Sequence, residues 1–130
     1  MKFVYLTEAD LLEIHAFVVE ETTGSHGLRD RDAINSAVAL PRQKVFGKEL
    51  YPDIYAKAAI YVRSIVFNHP FVDGNKRIAI AAAGVFLEDN GYLLVPPQGE
   101  IEKFVLTVVA KKYDIADIAA WLKKHSKKIQ

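Results

Sequence analysis

The run Ile78-Ala79-Ile80-Ala81-Ala82-Ala83-Gly84-Val85-Phe86-Leu87 carries no charge and no polar side chain. A helix made from it is apolar nearly all round, and such a helix has to be surrounded by other elements. The pattern predicts a helix from Asn75 to Asn90, with Gly91 in the left-handed position that ends it. A second long helix is predicted just ahead, from Pro52, which suits a first turn, to Asn68. Ile54, Ala58, Ala59, Tyr61, Val62, Ile65 and Val66 give it a broad apolar stripe. A helix of this kind needs others around it, and the helical patterns along the chain suit an all-α fold.

The remaining elements are shorter. Thr7-Glu8-Ala9-Asp10 reads as a capping box. It opens a helix carrying Leu11, Ile14, His15, Val18 and Val19, which stops at Thr22-Thr23-Gly24. His15 lies on the apolar face and is expected to be packed and hydrogen-bonded; His26, in the loop-like Gly24-Ser25-His26-Gly27, is expected to be exposed. Asp30 or Asp32 caps a short helix through Ala33, Ile34, Ala37, Val38 and Leu40, stopped by Pro41. Between Pro41 and Pro52 there is no helical period, and Gly47 sits in the middle, so this segment suits an extended excursion or a small hairpin. Tyr92-Leu93-Leu94-Val95 is a short extended piece. Helical patterns follow across Ile101 to Lys112 and across Ile115 to Lys127, the second capped by Asp114 or Asp117, with Trp121 closing the core.

At 130 residues and 51% apolar content, one domain over residues 1–130 is the default. The net charge of +1 excludes a global field for nucleic acid or a membrane surface, so any basic site has to be local. Without cysteine there is neither a disulfide framework nor a thiolate zinc site. No apolar run approaches the roughly 20 residues of a membrane span. The opening Met1-Lys2-Phe3-Val4-Tyr5-Leu6 lacks the form of a signal sequence. A cytoplasmic protein is expected.

Between the two long helices lies His69-Pro70-Phe71-Val72-Asp73-Gly74-Asn75-Lys76-Arg77. The start of the following helix offers free amides, a ready site for phosphate, and Gly74 puts no side chain in the way. Lys76 and Arg77 add two cations in the first turn, where positive charge opposes the helix dipole unless an anion is present. Asp73 can reach an Mg²⁺ ion that takes its other ligands from water and phosphate, or serve as the helix N-cap. His69 is the one histidine beside this anion site, and an imidazole can take a proton from an attacking hydroxyl near neutral pH. Asn75 can donate to a phosphate oxygen or hold the loop, while Pro70 stiffens the turn and Phe71 anchors it.

This stretch resembles the signature of the Fic/Doc family. The AMP-transferring branch reads H-x-F-x-[DE]-G-N-G-R-x-x-R; here Lys76 stands at its glycine and Ile80 at its second arginine. The death-on-curing (Doc) branch, H-x-F-x-[ND]-[AG]-N-K-R, fits at all seven specified positions. The likeness extends from Tyr51-Pro52-Asp53 to Phe86-Leu87-Glu88-Asp89-Asn90-Gly91, and Arg29-Asp30 is similar to a family Arg-Asp pair to which no role is assigned here. The resemblance implies a six- to seven-helix bundle with a short extended flap at about 42–51, a motif loop at 69–77 and at most a minimal β element. It implies ATP and Mg²⁺ as partners in a protein kinase reaction, with His69 as catalytic base. Asp73 would lie on the metal and Gly74, Asn75, Lys76 and Arg77 on the phosphates, Asn75 donating its carboxamide there.

In the family a flap lies beside the active site and positions the target by strand pairing, which implies a docking role for Val45, Phe46, Gly47, Lys48 and Glu49. The implied target is a threonine of translation elongation factor Tu. The implied regulator is an antitoxin whose disordered tail folds on the toxin, because this sequence contains no recognisable segment that would lay its own glutamate over the site. Two other readings stay open: nucleotidyl transfer to a protein hydroxyl, and a non-catalytic member that only binds a partner. No direct nucleic-acid or membrane contact is implied.

Overall fold

The computed structural model describes residues 2–20 and 27–129. The expected helix stop at Thr22-Thr23-Gly24 and the expected exposure of His26 fall outside them. Among the described residues there are six α-helices and two pairs of short strands. α1 spans Glu8–Glu20, α2 Arg31–Ala39, α3 Ile54–Asn68, α4 Asn75–Asp89, α5 Glu100–Lys111 and α6 Ile115–Lys124. β1 (Lys44–Val45) and β2 (Lys48–Glu49) form one antiparallel hairpin. β3 (Tyr92–Leu94) pairs antiparallel with β4 (Ser126–Lys128), Leu93 opposite Lys127. The all-helical bundle expected from the sequence is what the chain forms, and no helix is long and apolar enough to cross a membrane.

The two central helices are those carrying the long apolar patterns. α3 packs mainly against α4 and α6 and also against α2, while α4 packs in addition against α1 and β3. One connected core results, with Leu11, Ile34, Tyr61, Ile65, Phe71, Ile78, Phe86, Leu87, Ile118 and Leu122 fully buried. Local chemistry sets the helix ends. Thr7 Oγ1 accepts from the Asp10 amide while Asp10 Oδ2 accepts from the Thr7 amide, the reciprocal cap read from the sequence. Asp30 caps α2, and Asp114 with Asp117 forms a second capping box on α6. Asp53 accepts from the Tyr55 and Ala56 amides, both at 2.9 Å, so α3 starts two residues later than Pro52 implied.

The C-terminal helix also ends earlier than its apolar pattern. α6 stops at Lys124, because Nδ1 of His125 bonds the Trp121 carbonyl at 2.9 Å and Ser126 Oγ donates to the Leu122 carbonyl at 2.6 Å. The Trp121 carbonyl thus meets both the backbone amide and the ring nitrogen of His125, Ser126 satisfies the Leu122 carbonyl, and the backbone beyond pairs with β3. Trp121 does close the core edge, stacked on Phe104 with centroids 4.0 Å apart.

Two buried polar groups fix what surrounds α3. The Tyr61 hydroxyl accepts from the Leu6 amide at 3.0 Å, with neither residue exposed, and its ring lies against Phe86. Burial pushes the phenol up to about 12, so it stays neutral. Lys57 is fully buried; its Nζ donates to the Pro41 carbonyl at 2.9 Å and to Glu49 Oε1 at 2.8 Å, tying the hairpin to the start of α3. The Lys57 hydrogen bond holds the Glu49 carboxyl below its ordinary value of 4.5.

Tyr61→Phe should cost about 1–3 kcal/mol in denaturant unfolding, since it leaves the buried Leu6 amide without an acceptor. Because the folded carboxyl of Glu49 is depressed, its tie is complete above 4.5 and is lost as the pH falls through the lower, folded value. Carbon-detected titration of the Glu49 carboxyl should therefore give a midpoint below 4.5, and a midpoint at or above it would show the tie to be absent in solution.

Candidate active site

α3 and α4 are joined by six residues, and the joint begins with a non-glycine residue in the left-handed region. His69 is the C-cap of α3, at φ 48° and ψ 61°, its amide donating to the Ile65 carbonyl at 3.2 Å. That conformation costs an L-residue about 1–2 kcal/mol and persists only where neighbours over-determine it. Arg29 is the chief of these neighbours. Its Nε donates to the His69 carbonyl and its Nη2 to the Asn68 carbonyl, so one guanidinium closes two orphan acceptors at the negative end of α3. The Arg29 and Asp30 amides both donate to the Pro70 carbonyl, at 2.8 and 3.0 Å. Leu28 and Phe71 form an isolated antiparallel bridge, and the Val72 amide donates to the Gly27 carbonyl at 3.1 Å.

From the other side Asn75 holds the same loop. Its Oδ1 accepts from the Phe71 amide at 3.1 Å and its Nδ2 donates to the Phe71 carbonyl at 2.9 Å, within a largely buried environment. Of the two uses the sequence left for this carboxamide, holding the loop is the one in place. Phe71 itself is fully buried, anchoring the loop as expected, and stacks on His15 with centroids 4.4 Å apart and planes 8° apart, the packing expected for that histidine.

The side chains that remain outside this frame are those with chemistry. His69, Asp73, Lys76 and Arg77 are exposed. Gly74, not Asp73, is the N-cap of α4, at φ 82°, so no side chain caps this helix. A Cβ on Gly74 would point toward Val18 and Ile78 at ordinary contact distances, so the glycine is needed for its left-handed φ rather than for space in front of an anion. The first turn of α4 contains no acid, and neither Lys76 nor Arg77 forms an ion pair among the described residues. Two cations at the positive end of a helix are unfavourable on their own, and a bound anion would offset them. Beside them Ile101, Glu102, Val105 and Leu106 of α5 complete a cleft of about 280 Å³.

A metal would find no protein cage here, because no group of three His, Asp or Glu ligands occurs among the described residues. The single loop carboxylate, Asp73, suits an Mg²⁺ that keeps water and phosphate as its other ligands. The loop thus brings His69, Asp73, Gly74, Asn75, Lys76 and Arg77 together. The hairpin expected as the docking flap, Val45 to Glu49, is tied through Glu49 to Lys57 in the first turns of α3, twelve residues before His69.

Replacing Arg29 by glutamine should cost about 1 kcal/mol of stability and speed hydrogen exchange at the Phe71 and Val72 amides, while Arg29→Lys, keeping the charge but losing the fork, should fall between the two. Unchanged exchange in Arg29→Gln would show that the clasp does not hold the loop.

Residues 5–87 match the sequence model of the Fic/DOC family. The chain is also 39% identical over 101 residues to the protein named Toxin Doc of Mycolicibacterium smegmatis, an alignment covering 76% of this chain and 78% of that protein. The family match takes in α3, nearly all of α4, Arg29 of the clasp and the whole loop from His69 to Arg77, and on that extent of agreement the chain belongs to the Fic/DOC family.

Proposed function

We propose that this chain is the toxin of a toxin–antitoxin pair and a protein kinase, transferring the γ-phosphate of ATP to a hydroxyl of a translation factor, with a threonine of elongation factor Tu as the target. The observation that carries the reading is the anion-ready first turn of α4, with Lys76 and Arg77 unpaired by acids, facing a loop that begins with an exposed histidine. Ile80, at the second arginine of the AMP-transferring pattern, is buried in the core and offers no donor to a nucleotide. Lys76 occupies the place of the glycine that the same pattern uses. Both departures favour phosphoryl transfer over nucleotidyl transfer.

In this mechanism Lys76, Arg77 and the backbone amides of Gly74 and Asn75 hold the phosphates, and the Asn75 side chain keeps the loop in register. His69 takes the proton of the acceptor hydroxyl as its oxygen bonds to the γ-phosphorus and the bond to the bridging oxygen breaks, leaving ADP. Bound Mg²⁺, with Asp73 as its protein ligand, would neutralise charge on the phosphates. In-line positioning and charge neutralisation supply most of the acceleration. An antitoxin acting in trans is the natural regulator, and residues 1–130 act as one domain in the cytoplasm.

Incubation with Mg²⁺, host-cell extract and ATP labelled at either the γ or the α phosphate tests this directly. A protein band carrying γ label is expected; α label on the band would overturn the kinase assignment in favour of nucleotidyl transfer. His69→Ala should reduce transfer by about 100-fold or more, as loss of a general base does. Transfer that survives the substitution would remove His69 from the chemistry.

A further inference from the structure

The interior of α4 contains a glycine that the fold itself does not require. Glycine is a weaker helix former than alanine, and a Cβ built on Gly84 would meet nothing within 4 Å. Gly84 faces a groove of about 660 Å³ between α1 and α4, with Leu93 and Leu94 of β3 also in its wall. Two large apolar side chains of the groove stand open to solvent, Phe17 at 63% exposure and Val85 at 36%. Four carboxylates line it as well, Asp10, Glu13, Glu88 and Asp89, and none of them forms an ion pair among the described residues. Exposed apolar surface rimmed by charge marks a contact surface, and the space kept open at Gly84 gives it depth.

The complementary charge is on the same chain. Lys123 and Lys124 end α6, and Lys127 and Lys128 lie on β4; all four are exposed, and none forms an ion pair among the described residues. Leu93 of the groove wall stands opposite Lys127 in the β3–β4 pair, so groove and lysines are neighbours across one strand pair. Two adjacent patches of opposite sign are self-complementary under a two-fold axis: the lysines of each copy meet the carboxylates of the other, and every contact is made twice. Lysine on an exposed strand edge discourages strand addition, which leaves side chains rather than a continued sheet to make the contact. We infer that this chain associates with a second copy of itself through the α1–α4 groove and the β4 lysines, an apolar side chain of one copy filling the space over Gly84 of the other. The buried face of α1 next to the groove carries His15, stacked on Phe71 of the motif loop, so association here braces the helix that backs the candidate site.

Sedimentation equilibrium of the full chain from micromolar to submillimolar concentration, at low and high salt, tests this. The wild type should pass from monomer to dimer as concentration rises, and less readily at high salt. Gly84→Leu, which fills the groove where no atom of the fold stands, should keep the melting temperature and lose the dimer. Lys127→Glu/Lys128→Glu and Glu13→Lys/Glu88→Lys should each weaken self-association about tenfold or more, and an equimolar mixture of the two should recover it as a heterodimer. A wild type that stays monomeric throughout overturns the inference, as does a dimer indifferent to Gly84→Leu or a mixture that fails to recover. A fluorescein-labelled oligolysine peptide is titrated in parallel by fluorescence anisotropy. Peptide bound by a chain that remains monomeric, and lost in Gly84→Leu, would make the groove a dock for a foreign basic segment and rule out the second copy.

Discussion

Two helices that each bury more than half of their residues meet at a joint whose first half, the carbonyl end of α3, is closed by a guanidinium forty residues upstream. Arg29 closes the carbonyl end of α3 at the residue where the backbone turns left-handed. Asn75 ties the opposite flank of the turn to the opening residue of α4. Between these two fastenings the loop has little freedom, although its working side chains face outward. The rigidity belongs to the backbone, while the side chains of His69, Lys76 and Arg77 stay exposed. Such a division lets a small bundle present the candidate site without relying on a large enclosed cleft.

Sequence was most informative where the cause is local. Apolar periodicity located α3 and α4, the reciprocal cap of Thr7 with Asp10 could be read directly, and the cap of α6 was narrowed to Asp114 or Asp117, which the structure joins in one box, because the groups that satisfy each helix start lie within four residues of it. Reading failed where the partner is distant. Nothing near Lys57 marks it as a buried cation, because its partners Pro41 and Glu49 are placed by the hairpin. β4 looked helical because Ile115 to Lys127 keeps its period; the side chains of His125 and Ser126 ended the helix first.

The candidate site divides along the same line. The residue types of the loop and their order along the helix start were visible in the sequence, whereas the role of Arg29 was not and the Asn75 carboxamide was left with two uses, of which the structure shows loop-holding. An Arg-Asp pair ahead of a capped helix was there to be noticed, yet its meaning depends on a contact across about forty positions. The hairpin formed where the broken helical period put it, between Pro41 and Pro52, whereas its tie to α3 through Glu49 and Lys57 was not legible in the sequence.

The far end of α4 holds one more arrangement. Asn90 accepts from the Val4 amide at 2.7 Å and donates to the Val4 carbonyl at 2.8 Å, while the Ile129 amide donates to the Gly91 carbonyl at 2.8 Å. Residues near the beginning and the close of the described chain are thus fastened to adjacent positions, a full helix length away from His69. A short linker could splice these two segments and new ends be opened elsewhere, and fusions attached at either end would emerge from the same patch with the catalytic face left clear.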